Sequence, residues 1–280
     1  MARALGVRAA DGSAAPAPRL SLLVPDSLMG ATLVWSPDTG SYEVDPSRTG
    51  APATGVRFIY YAIDPATKTP ALPLNELGRI DLTDRSSGGS GLTLGVQVVN
   101  TAGSSDVTLA DYTIEGSFVL SGDTRLQASA EGYVSDGTDR LDFDLTQEVE
   151  LPAGSSTVSG TTHYVLSSGD VTVTLDTDGS FDLDTGRATA ASLTLTVAKG
   201  PDSAAMHVTV AADGGLDGSI THGGSTVILI GGTTDQPTFT KPDGSAPSDQ
   251  KVAALKDLFG AADGVAGFAV SVLGVFGGGA

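Results

Sequence analysis

The sequence predicts a mainly β protein: one large antiparallel meander, curved into a barrel or half-barrel, with a C-terminal apolar α-helix packed on its inner face. Three observations predict it. From Val107 to Ile230 the chain repeats short runs of alternating apolar and polar residues, and alternation at period two marks a strand with one buried and one wet face. Asp-Gly pairs fall between such runs, and they supply the positive φ that tight hairpins need. After Ser248 the apolar residues move to helical spacing.

Taken in order, residues 1–19 are rich in Ala, Arg and Pro and are expected to form a flexible N-terminal linker. Residues 20–236 form the expected β domain. Thr32-Leu33-Val34-Trp35 and Ser41-Tyr42-Glu43-Val44 flank Pro37-Asp38-Thr39-Gly40, a hairpin turn signal. Val56 to Ile63 is a strongly apolar strand, and Asp64 to Pro73 a Pro-rich connection. Leu77 to Leu82 and Leu92 to Val99 read as further strands.

The clearest strand is Leu141 to Leu151, apolar at most odd positions and polar or acidic at even ones. The pattern returns around Val173, Leu195 and Val208, and β-branched Val and Thr suit a pleated, half-buried surface. Turns are expected at Asp136-Gly137, Asp178-Gly179 and Asp213-Gly214. Strands joined this closely are neighbours and antiparallel, and the whole comes to about fourteen strands.

Residues 237–280 are expected to be a loop, Pro237 to Pro247, followed by a helix capped by Ser248. Val252, Leu255, Leu258, Phe259 and Ala262 hold helical spacing, and from Gly264 the segment is apolar nearly all round. A helix apolar on every side is usually buried, so this one is expected against the concave face of the sheet. It is short for a membrane span and broken by Asp263, Gly264, Gly267 and Gly274.

Composition removes several function classes. The 280 residues are enough to bury roughly 75% of the unfolded surface. There are 33 acidic against 15 basic residues, a formal charge of -18. That disfavours nucleic acid, because phosphate binding needs clustered Lys and Arg. The absence of cysteine excludes disulfides, zinc ribbons and iron-sulfur clusters. A Cys-free chain rich in Thr, Gly and Asp fits a bacterial exported protein, placed outside the cell, in the periplasm or on the cell surface. Met1 to Gly12 has no apolar signal core, so membrane attachment is expected only through a removed N-terminal anchor or the C-terminal tail.

Candidate chemistry is sparse. Asp176, Asp178, Asp182 and Asp184 place four carboxylates in nine residues. Hard oxygen ligands of this kind could hold Ca²⁺, although the spacing is not that of an EF-hand and a turn and a wet strand face also explain these residues. No other cofactor is indicated. Asp142, Asp144, Glu148 and Glu150 form an acidic row on one strand, and with a single Trp for sugar stacking this reads as a solvated face and not as a glycosidase pair. His163, His207 and His222 are the only histidines and share no metal-binding spacing. No nucleophile elbow, P-loop or dinucleotide fingerprint occurs.

Two stretches carry a resemblance. One is Val24-Pro25-Asp26-Ser27-Leu28-Met29-Gly30, leading to Asp45-Pro46-Ser47-Arg48-Thr49-Gly50-Ala51-Pro52-Ala53-Thr54-Gly55-Val56-Arg57-Phe58. The other is Gly132-Tyr133-Val134-Ser135-Asp136-Gly137-Thr138-Asp139-Arg140-Leu141-Asp142-Phe143. They resemble a group of uncharacterised, predicted exported or lipoprotein-like β-rich proteins of environmental bacteria. The resemblance implies a compartment and no activity.

The expectation is therefore a non-enzymatic protein holding an apolar, lipid-like ligand between sheet and helix. Val265, Phe268, Val272 and Phe276 are the candidate ligand-binding residues, beside a cavity of several hundred Å³. The alternative is a structural surface or adhesion protein that self-assembles into homo-oligomers through sheet edges or the apolar tail.

Overall fold

The computed structural model describes residues 24–87, 91–103, 105–120, 122–185, 187–233 and 236–273. After a 3-10 turn at Asp26–Leu28, fifteen strands form one sheet. They are β1 (Ala31–Ser36), β2 (Ser41–Val44), β3 (Gly55–Tyr61), β4 (Glu76–Asp84), β5 (Gly91–Asn100), β6 (Val107–Val119), β7 (Thr124–Ser135) and β8 (Arg140–Leu151). There follow β9 (Thr157–Ser168), β10 (Val171–Asp182), β11 (Arg187–Lys199), β12 (Asp202–Ala211), β13 (Leu216–His222), β14 (Ser225–Gly232) and β15 (Pro237–Thr240). The helix α1 runs from Asp249 to Leu273.

From β3 to β15 each strand pairs antiparallel with the next. The start departs from the meander. β1 and β2 form the expected hairpin, but β3 lies parallel to β1, with Ala31 opposite Val56. The sheet ends on β2 and β15, which do not pair, so it does not close: of the expected barrel or half-barrel, the barrel is corrected to an open sheet. Both edge strands have only four residues, against twelve or thirteen through most of the centre, and very short edge strands offer little ladder for edge-to-edge pairing.

Two local expectations are also corrected. Pro237–Thr240, expected as loop, is the edge strand β15, with Gly232 opposite Pro237; proline is tolerated at the first residue of an edge strand. Asp178-Gly179, expected as a turn, lies inside β10, opposite Thr161 and Gly160 on one side and Ser192 and Ala191 on the other. The turn comes at Asp182, whose carboxylate accepts the backbone N–H groups of Asp184 and Thr185, both at 2.9 Å. Asp136-Gly137 does turn the chain. Gly137 has φ +97°, and the Asp136 carboxylate accepts N–H bonds from Thr138 and Asp139.

The main core is built on one row, with Val96, Phe143 and Ile230 buried beside it, and a smaller cluster of Val24, Leu33 and Val56 lies at the start of the sheet. Leu94, Ile114, Ala130, Leu145, Tyr164, Leu175, Leu195, Met206, Ile220 and Ile228 oppose one another in direct register from β5 to β14. All ten are buried. Each sits at the apolar phase of its strand, so the hairpin registers line up ten separate alternations on one face.

Helix α1 covers this face. Leu255, Ala262, Val265, Ala269 and Val272 are buried within the same cluster as the row, at spacings that define one helical stripe. Val270 is 69% exposed, so the apolar-all-round reading of the segment is corrected to a one-sided helix. Its length of about 37 Å compares with about 43 Å for ten strands. β15 stands seven strands from β8, yet Phe268 meets Phe143 of β8 edge-on at 5.3 Å; the chain therefore crosses the sheet between Thr240 and Phe268. α1 comes nearest the sheet at β7 and β9. On β7 the residues on this face include Ala128, Ala130 and Gly132, small enough to let helix backbone approach. No helix among the described residues is long and apolar enough to cross a membrane.

Candidate functional site

On the helix-bearing face, one residue pair along from the buried row, lies a trough of about 500 Å³ across β8 to β12. Register explains it. One row reads Gln147, Thr162, Thr177, Leu193, Val208 and the next Val149, Gly160, Gly179, Ala191, Val210. These ten line the trough. Where the buried row carries Tyr164, Leu175 and Leu195, the outermost row carries Gly160, Gly179 and Ala191. The floor is therefore backbone, and the missing side chains are the volume.

The two glycines have no local need to be glycine. A Cβ on Gly160 would stand 3.5 Å from its nearest neighbour, the Glu148 carbonyl oxygen, and on Gly179 3.5 Å from that of Ala190. Both distances are ordinary contacts, and neither residue has a positive φ. Gly132 and Gly218 differ, since a Cβ there would fall 2.3 Å from a carbonyl oxygen. Glycine weakens a strand interior, and at these two positions no steric constraint offsets that.

The lining is apolar with one polar corner. The Thr162 and Thr177 hydroxyls share a hydrogen bond of 2.7 Å. The Tyr164 hydroxyl donates to the Gln147 carbonyl oxygen at 3.5 Å, and burial pushes the Tyr164 phenol up, so it stays neutral. Glu148 and Asp178 contribute to the walls, but strand alternation sends their side chains to the opposite face.

The expected ligand-binding residues lie elsewhere. Val265 and Val272 are buried in the core between helix and sheet, and Phe268 packs on Phe143; none of the three lines the trough. Phe276 lies outside the described residues. Glycines at core-phase positions signalled the trough, but Gly160 stood in a Thr/Ser-rich run and the Asp-Gly turn rule absorbed Gly179.

The expected metal ligands are not gathered. Asp176 and Asp182 are six residues apart in one extended strand, about 20 Å. Asp176 pairs with His163 at 2.5 Å, Asp178 is exposed, and Asp182 caps a turn with Asp184 exposed beside it. The cap's N–H donors, that of Thr185 first, hold the Asp182 carboxyl below the usual range. No group of three or more His, Asp or Glu suited to a metal occurs among the described residues.

On the polar face, Arg125 pairs with Glu148 and Glu150 at 3.1 and 3.4 Å, and Arg140 pairs with Asp142. His163 and His207 fall in one register row, separated by Asp176 and Thr194. Three strand spacings, about 14 Å, keep the two rings apart.

Compared with protein-family models, curated proteins and solved structures, the chain finds no match.

Proposed function

We propose that this protein is a non-enzymatic carrier or receptor for an apolar, lipid-like ligand, held in the trough across β8 to β12 beside α1. The carrying observation is the volume itself: about 500 Å³ walled by Val149, Leu193, Val208 and Val210 over a Gly160–Gly179 floor. Pockets of about 300–1,000 Å³ with apolar walls and few polar groups are what small apolar ligands occupy. A half-barrel cupped around α1 belongs to this reading, because one helix and one sheet face bury a row ten strands wide. This reading carries with it an exported or envelope setting, which a Thr-, Gly- and Asp-rich β composition suits.

The test is native mass spectrometry of the purified chain, followed by solvent extraction and lipid analysis. A stoichiometric lipid, lost on Gly179→Val, is expected. A bare monomer that also takes up no added lipid would overturn the reading. A bare oligomer would favour the second reading, self-assembly at a surface, for which the exposed Tyr42 and Val44 of edge strand β2 speak.

A further inference from the structure

The trough is graded along its length, and the grading points to a ligand class. Across β8, β9 and β10 its inner row is Gln147, Thr162 and Thr177; across β11 and β12 the same row is Leu193 and Val208. Polar lining occupies one end of the row and apolar lining the other. The outermost row, from Val149 to Val210, is apolar or glycine throughout. Five strands span about 19 Å, and residues two apart along a strand stand about 7 Å from each other. That footprint is one single-chain amphiphile long, head included, and one chain wide.

The polar end has hydrogen-bonding capacity and no charge. Within the Thr162–Thr177 pair one hydroxyl donates to the other, which leaves one O–H donor and several acceptor lone pairs for a ligand. Gln147 adds an amide group whose oxygen already accepts from Tyr164. Among the described residues lining the trough there is no Lys, Arg or His. A carboxylate or phosphate head would be desolvated without a cation, in a chain whose formal charge is -18. An ammonium head would lack a counter-ion too, since Glu148 and Asp178 face away.

We propose that the trough takes a neutral, single-chain amphiphile, such as a monoacylglycerol, with its hydroxyl- or ester-bearing head over Thr162 and Thr177 and its chain running toward Val208 and Val210. This inference rests on the trough being the binding site.

The test is calorimetric titration of the full chain with three probes of equal chain length, below their aggregation concentrations. The probes are 1-monolauroylglycerol, laurate and dodecyltrimethylammonium. Monolauroylglycerol is expected to bind at least about tenfold tighter than either charged probe, a difference of about 1.4 kcal/mol. Gly179→Val should abolish its binding, and Ala191→Leu serves as a second filling variant should the first fold poorly. Thr162→Val with Thr177→Val should weaken monolauroylglycerol about tenfold, since both hydroxyls that hydrogen-bond its head are removed. Laurate or the ammonium probe binding as tightly, with that binding lost in the filling variants, would overturn the neutral-head inference and leave the apolar site standing. No binding by any probe, or binding that survives both filling variants, would overturn both.

Discussion

Filling the trough should stabilise the fold while removing the ligand, and the trough glycines make this sharp. Replacing Gly by Ala in a strand interior recovers about 0.5–1 kcal/mol of backbone entropy when the backbone suits alanine. Gly160 and Gly179 meet that condition, with 3.5 Å of clearance to the nearest atom and no positive φ. The added methyl gains part of the roughly 0.8 kcal/mol of a buried CH₂. Gly160→Ala or Gly179→Ala should therefore stabilise by about 0.5–1.5 kcal/mol. Because the two face each other, the double variant will not sum the singles. Gly132→Ala is the control of opposite sign. Its Cβ would stand 2.3 Å from the Asp111 carbonyl oxygen at φ +149°, so a loss of more than about 1 kcal/mol is expected. Urea unfolding followed by circular dichroism reads all three. If both trough variants lose more than about 1 kcal/mol, the glycines are structural and the argument that they exist to leave room fails.

Leu195→Ala, at a fully buried position near the middle of the ten-strand row, should cost about 2–5 kcal/mol; Leu183→Ala, at a residue 53% exposed, should be nearly silent, and equal effects would contradict the row as core. The Asp136 and Asp182 carboxyls are held below the usual range chiefly by backbone N–H donors, that of Asp139 first for Asp136 and that of Thr185 first for Asp182. Their folded values lie below the unfolded value of about 3.9. The support they lend their turns is thus complete above about pH 4 and is lost as pH falls through the depressed folded values. Carboxyl titration by NMR should give midpoints below about 3.9, and midpoints at or above it would refute the capping role. Adding Ca²⁺ or a chelator should leave the melting temperature within about 1 °C; a rise with Ca²⁺ that Asp182→Asn removes would restore an ion to that hairpin.

The sequence made most of the strands legible because one-sided burial writes itself as alternation. Leu141 to Leu151 and Val171 to Leu175 read directly as strand. Local chemistry misled where two rules competed. Asp178-Gly179 has turn composition, but Gly179 stands between Gly160 and Ala191 in register, and ladder pairing overrode it. Pro237 marks a loop until an edge needs covering on one side only. The parallel β1–β3 pair depends on how residues 45–54 lead the chain back, and no periodicity encodes that. Helix α1 was legible as a helix, but from Gly264 its composition concealed which side faces the sheet. Only packing separates buried Ala269 from exposed Val270.

The trough escaped motif reading for a reason general to meanders. Its lining is drawn from residues 147–210, two or three from each of five strands, so no short stretch contains it. Hairpin registers turn sequence separation into cross-strand adjacency: Gly160 and Gly179 are nineteen residues apart and directly opposed. What the sequence does carry is a set of phase defects. In each strand the core-phase positions can be numbered outward from the residue in the buried row. Two steps along from Leu145 that position is Gln147, from Tyr164 it is Thr162, and from Leu175 it is Thr177. Two further on it is Val149, Gly160 and Gly179. The same departure from bulky apolar residues, at the same depth in neighbouring strands, builds a depression that no single strand would form. A lone core-phase glycine is a packing accident, whereas two aligned in register across adjacent strands, each with room for a side chain it lacks, make a cavity.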